Sequence, residues 1–204
     1  MTALLGISGS TRKESWNRAL LHAAAELVPP AALLEIQDLH DIPNYDEDHD
    51  DHLGGTGTPE TVLALRRRIE QADGLVLSSP EYNWSFTGVL KNALDWCSRP
   101  AFRSILAGKP ALLLGASSGP AGTGRAQLHL RQVLLSTKTP VLIESLQVAN
   151  AAQHFNEDGQ LVTPGIREQL RKLLSELAEI ASLSPRSHEP SRRPAAASAA
   201  ASRR

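Results

Sequence analysis

The sequence predicts a doubly wound α/β fold, a three-layer sandwich in which helices cover both faces of a five-stranded parallel sheet. Two observations support it. Five short apolar runs alternate with segments of helical periodicity along the 204 residues, which is typical of successive strand–helix units. The apolar runs are nearly continuous, as expected for strands buried on both faces. Right-handed crossovers between five strands favour the order 2-1-3-4-5.

The first unit contains a strand, a polar turn and a helix. Residues 3–7 form the apolar strand, the turn over residues 8–17 is rich in hydroxyl side chains, and Pro29 with Pro30 ends the helix. Apolar residues recur at helical spacing, which predicts one buried helix face: Leu20, Leu21, Ala24, Leu27 and Val28.

The later elements continue the alternation. Apolar runs predict strands over residues 32–37, 73–79, 111–117 and 140–148. Helical periodicity predicts helices over residues 59–71, 88–98, 125–138 and 163–181. A turn at Asp158 and Gly159 separates the last strand from the last helix.

Composition excludes several classes of protein. The net charge of −1 gives no electrostatic reason to bind nucleic acid or an anionic membrane. The single cysteine, Cys97, excludes an internal disulfide and a thiolate metal cluster. No apolar run is long enough to span a bilayer and no signal peptide is visible, so we expect a cytoplasmic protein.

Two segments lie outside the alternation of strands and helices. Residues 38–53 are rich in acidic and histidine side chains, which are potential metal ligands. Because nothing in the sequence holds them in a fixed geometry, we expect a solvated loop and no metal site. From residue 184 the chain lacks bulky apolar residues. We therefore assign residues 1–183 to one domain and residues 184–204 to a disordered tail.

The turn over residues 8–17 has the composition of an anion site. It precedes a helix, whose unpaired N–H groups and positive dipole end attract anions. Ser10 and Ser15 offer hydroxyl donors, Asn17 an amide, and Arg12 a guanidinium that can bind two oxygens. The Walker and Rossmann glycine patterns are missing, so a terminal phosphate dianion fits best. Helix capping by Ser15 or Asn17 is the alternative, but it explains only part of the cluster.

A second unusual turn follows the third strand. Pro80 stiffens the chain, Asn83 supplies a donor and an acceptor, and Tyr82 offers flat apolar surface. Trp84 fits a ligand contact and a core or subunit contact equally well. In the order 2-1-3-4-5, ligands bind at the switch point beyond strands one and three, where both turns lie. A phosphate beside a planar ring describes flavin mononucleotide (FMN).

Three motifs resemble the signatures of the NADPH-dependent FMN reductase family, a branch of the flavodoxin-like fold. They are GSTRKESWNRAL, SPEYNWSFTGVLKNALDW and GKPALLLGASSGPAGTGRAQLHLRQVL. The resemblance covers residues 2–180, and Thr87 and Ser118 stand where the family often has proline. It implies that two groups of residues bind FMN, the phosphate ligands Ser10, Arg12, Ser15 and Asn17, and the ring contacts Pro80, Glu81, Tyr82, Asn83 and Ser117.

The resemblance also implies an activity. Such enzymes transfer hydride from NADPH or NADH to bound FMN and pass the electrons to a quinone, azo compound, chromate or flavin. Since the flavin carries this chemistry, no catalytic side chain is predicted. Glu81 is expected to be structural, because no visible partner would tune it as a base. Two alternatives remain, a flavodoxin-type electron carrier without NAD(P)H oxidation and a flavin-binding regulatory module. Arg12 and the near-zero net charge disfavour the carrier.

A homo-oligomer, either a dimer or a tetramer, is implied by the same resemblance. The helix after the second motif often supplies the interface in this family. Leu94, Trp96 and Phe102 are therefore candidates for subunit contacts. Burial in the core of the chain's own domain is the alternative for each of them.

Overall fold

The computed structural model describes residues 1–101 and 103–183. Its centre is a five-stranded sheet in the order β2-β1-β3-β4-β5, and all neighbouring strands are parallel, which confirms the predicted topology. The strands are β1 (Thr2–Ser8), β2 (Ala32–Gln37), β3 (Gly74–Ser78), β4 (Ala111–Ala116) and β5 (Leu146–Val148).

Helices cover both faces of the sheet. They are α1 (Trp16–Leu27), α2 (Glu60–Gln71), α3 (Gly88–Cys97), α4 (Gly124–Ser136) and α5 (Pro164–Leu183). Alternate strand residues enter two separate cores. Leu4 and Val76 pack with α1 and α5, whereas Leu5 and Leu75 pack with α2, α3 and α4. None of the helices in the described ranges is long and apolar enough to cross a membrane.

The parallel pairing brings three polar turns to one edge of the sheet. Ser8, the last residue of β1, is in register with Ser78, the last residue of β3. Ser78 is in turn in register with Leu114, near the end of β4. The turns that follow these three strands therefore begin side by side, as the strand order predicts.

The predicted fifth strand is too long. Residues 140–148 were expected to be extended throughout, but the ladder covers only Leu146–Val148, with one isolated bridge from Val141 to Ala111. The carbonyl oxygens of Leu142 and Ile143 accept hydrogen bonds of 2.7 and 2.9 Å from the Arg131 guanidinium. Because a side chain on α4 takes these acceptors, the backbone leaves the sheet between Val141 and Leu146.

The acidic segment is not solvated throughout. It contains two short 3-10 turns, Glu47–His49 and Asp51–Leu53, and Asp50 between them is fully buried. A carboxylate oxygen of Asp50 lies 3.5 Å from the guanidinium of Arg66, which is also buried. The expectation of a solvated loop is therefore wrong at Asp50. A buried charge needs a partner of opposite sign, and Arg66 supplies it. Within the described ranges, no three His, Cys, Asp or Glu side chains are placed to hold a metal ion.

The proposed subunit contacts on α3 are also wrong for the two residues that the structure describes. Leu94 is 2% exposed and Trp96 is fully buried, and both lie within the chain's own fold. The Trp96 ring packs edge-on against Tyr45, and its indole N–H donates to the carbonyl of Pro43. Phe102 and the tail predicted over residues 184–204 lie outside the described residues.

Candidate active site

The first turn joins β1 to the N-terminus of α1. Ser15 is the N-cap, and its hydroxyl oxygen accepts the Arg18 backbone N–H at 3.4 Å. Ser10 is buried, and its hydroxyl oxygen accepts the Arg12 backbone N–H at 3.4 Å. The Arg12 side chain is exposed and donates to the carbonyl of Glu14 at 3.4 Å. This turn thus combines hydroxyl groups, the exposed Arg12 guanidinium and the N-terminus of a helix. The combination suits a phosphate dianion.

Asn17 lies in the same turn but faces the interior. Its side chain is only 3% exposed. The amide oxygen accepts the Ala116 backbone N–H at 2.9 Å and the Ser78 hydroxyl at 3.2 Å. The amide nitrogen donates to the Ala116 carbonyl at 2.8 Å. The structure therefore separates Asn17 from Ser10, Arg12 and Ser15, because its side chain points toward the ends of β3 and β4.

The second turn is a tight hairpin. Tyr82 and Ser85 exchange two backbone hydrogen bonds of 2.8 and 3.0 Å. Asn83 and Trp84 between them have φ values of 50° and 67°, the pattern of a two-residue type I′ turn. Asparagine tolerates this conformation, whereas tryptophan rarely adopts it. The turn leaves the residues Tyr82 and Trp84 53% and 67% exposed, so flat apolar surface lies beside the switch point.

Glu81 fastens this turn to α4. Its carboxylate accepts the backbone N–H groups of Arg125 and Ala126 at 3.0 and 3.1 Å. Thr123, the N-cap of α4, makes no such side-chain bond, so Glu81 supplies the missing cap. The Arg125 guanidinium lies 3.3 Å from the same carboxylate and 4.7 Å from the centre of the Trp84 ring. The carboxylate of Glu81 is thus structural, and a ligand contact of Glu81 would fall to its backbone.

The third turn follows β4 and is closely packed. The Ser117 hydroxyl oxygen accepts the Gly119 N–H at 3.1 Å, and the Ser117 N–H donates to Val148 at 2.9 Å. A Cβ at Gly115 would lie 1.9 Å from the hydroxyl of Thr123, which is fully buried. Only glycine therefore lets the end of β4 and the start of α4 approach this closely.

Thr87 connects the second turn to the first. Its hydroxyl donates to the Gly9 carbonyl at 2.6 Å and caps α3 by accepting the Leu90 N–H at 3.4 Å. Its own N–H donates to the hydroxyl of Ser79 at 3.3 Å. Sequence reasoning missed this role. A Thr-Gly pair before an apolar periodic run indicates an N-cap, but no signal in the sequence indicates the contact with Gly9.

A cleft of about 750 Å³ runs beside the first turn, between α1 and residues 156–161. Arg12 and Ser15 lie at its border with the first turn. Its walls carry both signs of charge: Lys13, Arg18, Glu26, Glu157 and Asp158. The cleft therefore has no net positive lining that would select the phosphates of a dinucleotide.

Comparison with known families places all three turns within one match. Residues 2–153 match the family model described as NADPH-dependent FMN reductase. An NAD(P)H-dependent FMN reductase of Pseudomonas aeruginosa is 43% identical over 175 residues, which are 85% of this chain and 92% of that protein. A 2-hydroxy-1,4-benzoquinone reductase of a Burkholderia species is 35% identical over 173 residues, covering 84% and 92% of the two chains.

A solved structure supports the same grouping. The flavoenzyme FerB of Paracoccus denitrificans, an NAD(P)H:acceptor oxidoreductase, superimposes with a TM-score of 0.74. It is 30% identical, and the alignment covers 89% of this chain and 98% of FerB. The similarity extends beyond the three turns to nearly the whole of both chains.

Proposed function

The chain belongs to the NADPH-dependent FMN reductase family, and from this premise we propose that the three turns at the carboxyl edge of the sheet hold FMN. The protein is an FMN-dependent oxidoreductase that uses NAD(P)H. When bound, FMN supplies a ring that accepts hydride from NAD(P)H and passes the electrons to a second acceptor. The contribution of the protein is to bind, orient and shield that ring.

Ser10, Arg12 and Ser15 hold the phosphate in this proposal. The N–H groups of Trp16 and Asn17, the first two residues of α1, precede the first intrahelical hydrogen bond, which Ala19 donates to the Ser15 carbonyl at 2.9 Å. The exposed Arg12 guanidinium can exchange its 3.4 Å hydrogen bond to the Glu14 carbonyl for contacts with two phosphate oxygens. These donors and the helix dipole together offer what a terminal dianion requires. Asn17 contributes its backbone N–H, since its side chain is already bonded to β3 and β4.

The second and third turns line the ring. Pro80, Tyr82 and Asn83 lie in the hairpin, and Glu81 holds that hairpin to α4 through its carboxylate. Ser117 lies on the side of the proposed ring site opposite the hairpin, and its hydroxyl closes the third turn by accepting the Gly119 N–H. A flat heterocycle fits between two such turns, because backbone N–H and C=O groups can meet its polar edge while Tyr82 covers apolar surface.

Quinones are the proposed acceptors among small molecules. One relative is a 2-hydroxy-1,4-benzoquinone reductase, and a quinone reductase of Escherichia coli is 36% identical over 174 residues. The exposed rings of Tyr82 and Trp84 offer a planar acceptor a surface on which to stack. Azo compounds, chromate and free flavin are tested beside quinones as competing acceptors.

An anaerobic titration tests this function. Purified holoprotein is mixed with NADPH while its visible absorption is recorded, and 1,4-benzoquinone is then added. We expect NADPH to bleach the yellow colour, benzoquinone to restore it, and steady-state turnover to follow. Protein stripped of flavin is the matched control. Bleaching without turnover by any acceptor would support the regulatory module, and no bleaching by NADPH or NADH would support the electron carrier.

We also propose that the chain forms a homo-oligomer through α4 rather than α3. Leu128 and Leu135 are 61% and 76% exposed. They are seven positions apart on α4, about two helical turns, and therefore lie on the same face of the helix. Light scattering gives the mass in solution. A Leu135→Glu variant is expected to shift that mass toward the monomer, whereas Leu183→Glu, at an exposed leucine on α5, leaves it unchanged.

A further inference from the structure

One amide side chain joins the first turn to the ends of two strands. Asn17 is the second residue of α1, and its amide makes three hydrogen bonds of 2.8 to 3.2 Å with Ala116 and Ser78. Ala116 is the last residue of β4 and Ser78 is the last residue of β3. These partners lie 99 and 61 positions away from Asn17 in the chain.

The bonds leave the amide little capacity for a ligand. Its oxygen already accepts twice, which uses both lone pairs, and its nitrogen donates once. With 3% of its surface exposed, the side chain has almost no area that a bound molecule could touch. The same residue nevertheless lies at the helix N-terminus, where its backbone N–H is free of any intrahelical acceptor.

We infer that Asn17 is a positioning residue, which locks the phosphate-binding turn to the two turns that line the flavin ring, and that its side chain is not a phosphate ligand. This inference rests on the proposed function. The next residue after Ser78 begins the second turn, and Ser117, the next residue after Ala116, begins the third. A shift at either strand end therefore moves a ring-lining turn.

Removing the amide leaves three buried partners unsatisfied: the N–H and C=O of Ala116 and the hydroxyl of Ser78. They can regain partners only if the strand ends move or water enters. Either change displaces the turns that line the ring. A ligand that carries only the ring should therefore be weakened by the same factor as one that also carries the phosphate.

Riboflavin separates this role from that of a phosphate ligand, because it has the ring and lacks the phosphate. Apoprotein is titrated with FMN and with riboflavin, and binding is followed by the quenching of flavin fluorescence. For Asn17→Ala we expect both dissociation constants to rise by the same factor, on the order of tenfold. For Arg12→Ala we expect only the FMN constant to rise.

A second measurement does not depend on affinity. At saturating FMN, the visible circular dichroism reports the surroundings of the ring. We expect Asn17→Ala to change that spectrum and Arg12→Ala to leave it unchanged. Ser78→Ala removes one of the three bonds and is expected to give the same pattern with a smaller amplitude, so the inference stays testable if Asn17→Ala does not fold.

A matched asparagine controls for lost stability alone. Asn92 on α3 also bridges two backbone groups, donating to the Pro43 carbonyl at 2.8 Å and accepting the Tyr45 N–H at 2.7 Å, but these partners belong to the segment after β2 and not to any of the three turns. Asn92→Ala should lower the melting temperature while leaving both flavin constants unchanged.

The outcomes distinguish this inference from the proposed function. A wild-type protein that takes up neither FMN nor riboflavin overturns both. If the wild type binds FMN and Asn17→Ala weakens FMN alone, the side chain is a phosphate ligand and the inference is wrong. Unchanged constants and an unchanged spectrum in Asn17→Ala and Ser78→Ala also overturn it. Equal weakening with an altered spectrum supports it.

Discussion

The hydroxyl of Thr87 donates a hydrogen bond of 2.6 Å to the carbonyl oxygen of Gly9, which lies 78 positions earlier in the chain. Gly9 packs so closely that a Cβ there would lie 2.9 Å from the hydroxyl of Ser79. The first and second turns are therefore fastened to each other directly as well as through the sheet. Where the family often has proline, this chain has a residue whose hydroxyl and N–H both hold the turn, and proline has neither group.

Replacing Thr87 by valine keeps the shape and removes the hydroxyl. The Gly9 carbonyl and the α3 cap both lose a partner, so we expect a loss of about 1–3 kcal/mol in the free energy of unfolding, measured in urea. Thr87→Ser keeps the hydroxyl and should lose less than half as much. A Thr87→Val protein as stable as the wild type would show that the bond contributes nothing.

Arg12→Ala should separate flavin retention from fold stability. The guanidinium is exposed and its hydrogen bond to the Glu14 carbonyl is 3.4 Å long, so the free energy of unfolding of the apoprotein should change by no more than about 0.5 kcal/mol. Loss of a bidentate phosphate contact should weaken FMN binding by about tenfold or more. Equilibrium dialysis and urea unfolding measure the two effects. Unchanged FMN content in this variant would exclude Arg12 from the phosphate site.

Glu81→Gln tests whether this carboxylate caps α4 or acts as a base. Gln retains an acceptor for α4 but loses the negative charge at the helix N-terminus, which should cost about 1 kcal/mol of stability. Turnover should remain within a few-fold of the wild type. Removal of a general base would instead lower kcat by about 10²–10⁴. Glu168→Gln, in an exposed ion pair beyond the first turn of α5, is the matched control and should change stability by less than about 0.5 kcal/mol.

We expect the buried thiol of Cys97 to lower the stability of the protein at alkaline pH. Burial raises the pKa of its thiol from 9.0 to about 12. The unfolded thiol ionises at lower pH than the folded one. The contribution of the neutral thiol to the free energy of unfolding is therefore complete below pH 9 and is lost as pH rises toward 12. Between pH 8 and pH 10 the free energy of unfolding should fall by roughly 1 kcal/mol from this group. Cys97→Ala should lack that component, and identical pH slopes for the two proteins would refute the assignment.

Local patterns were sufficient to predict the architecture. Nearly continuous apolar runs predicted the parallel strands, and the strand order followed from their number and connection rules. The composition of residues 8–17 likewise indicated the anion turn, and Ser15 is the helix cap that capping rules allow. The predicted length of the fifth strand was wrong. The carbonyl oxygens of two of its apolar residues, which could otherwise bond to the sheet, accept hydrogen bonds from Arg131.

The sequence by itself therefore determined the fold, the three polar turns and the family to which the chain belongs. Only the tertiary structure decided that the Asn17 amide is bonded inside the protein, that Glu81 caps α4 and that Thr87 holds Gly9. The partners in these contacts are separated by 99, 45 and 78 positions. Periodicity, turn chemistry and capping act within a few residues, whereas the bond that a polar side chain makes depends on which distant backbone groups the sheet brings beside it.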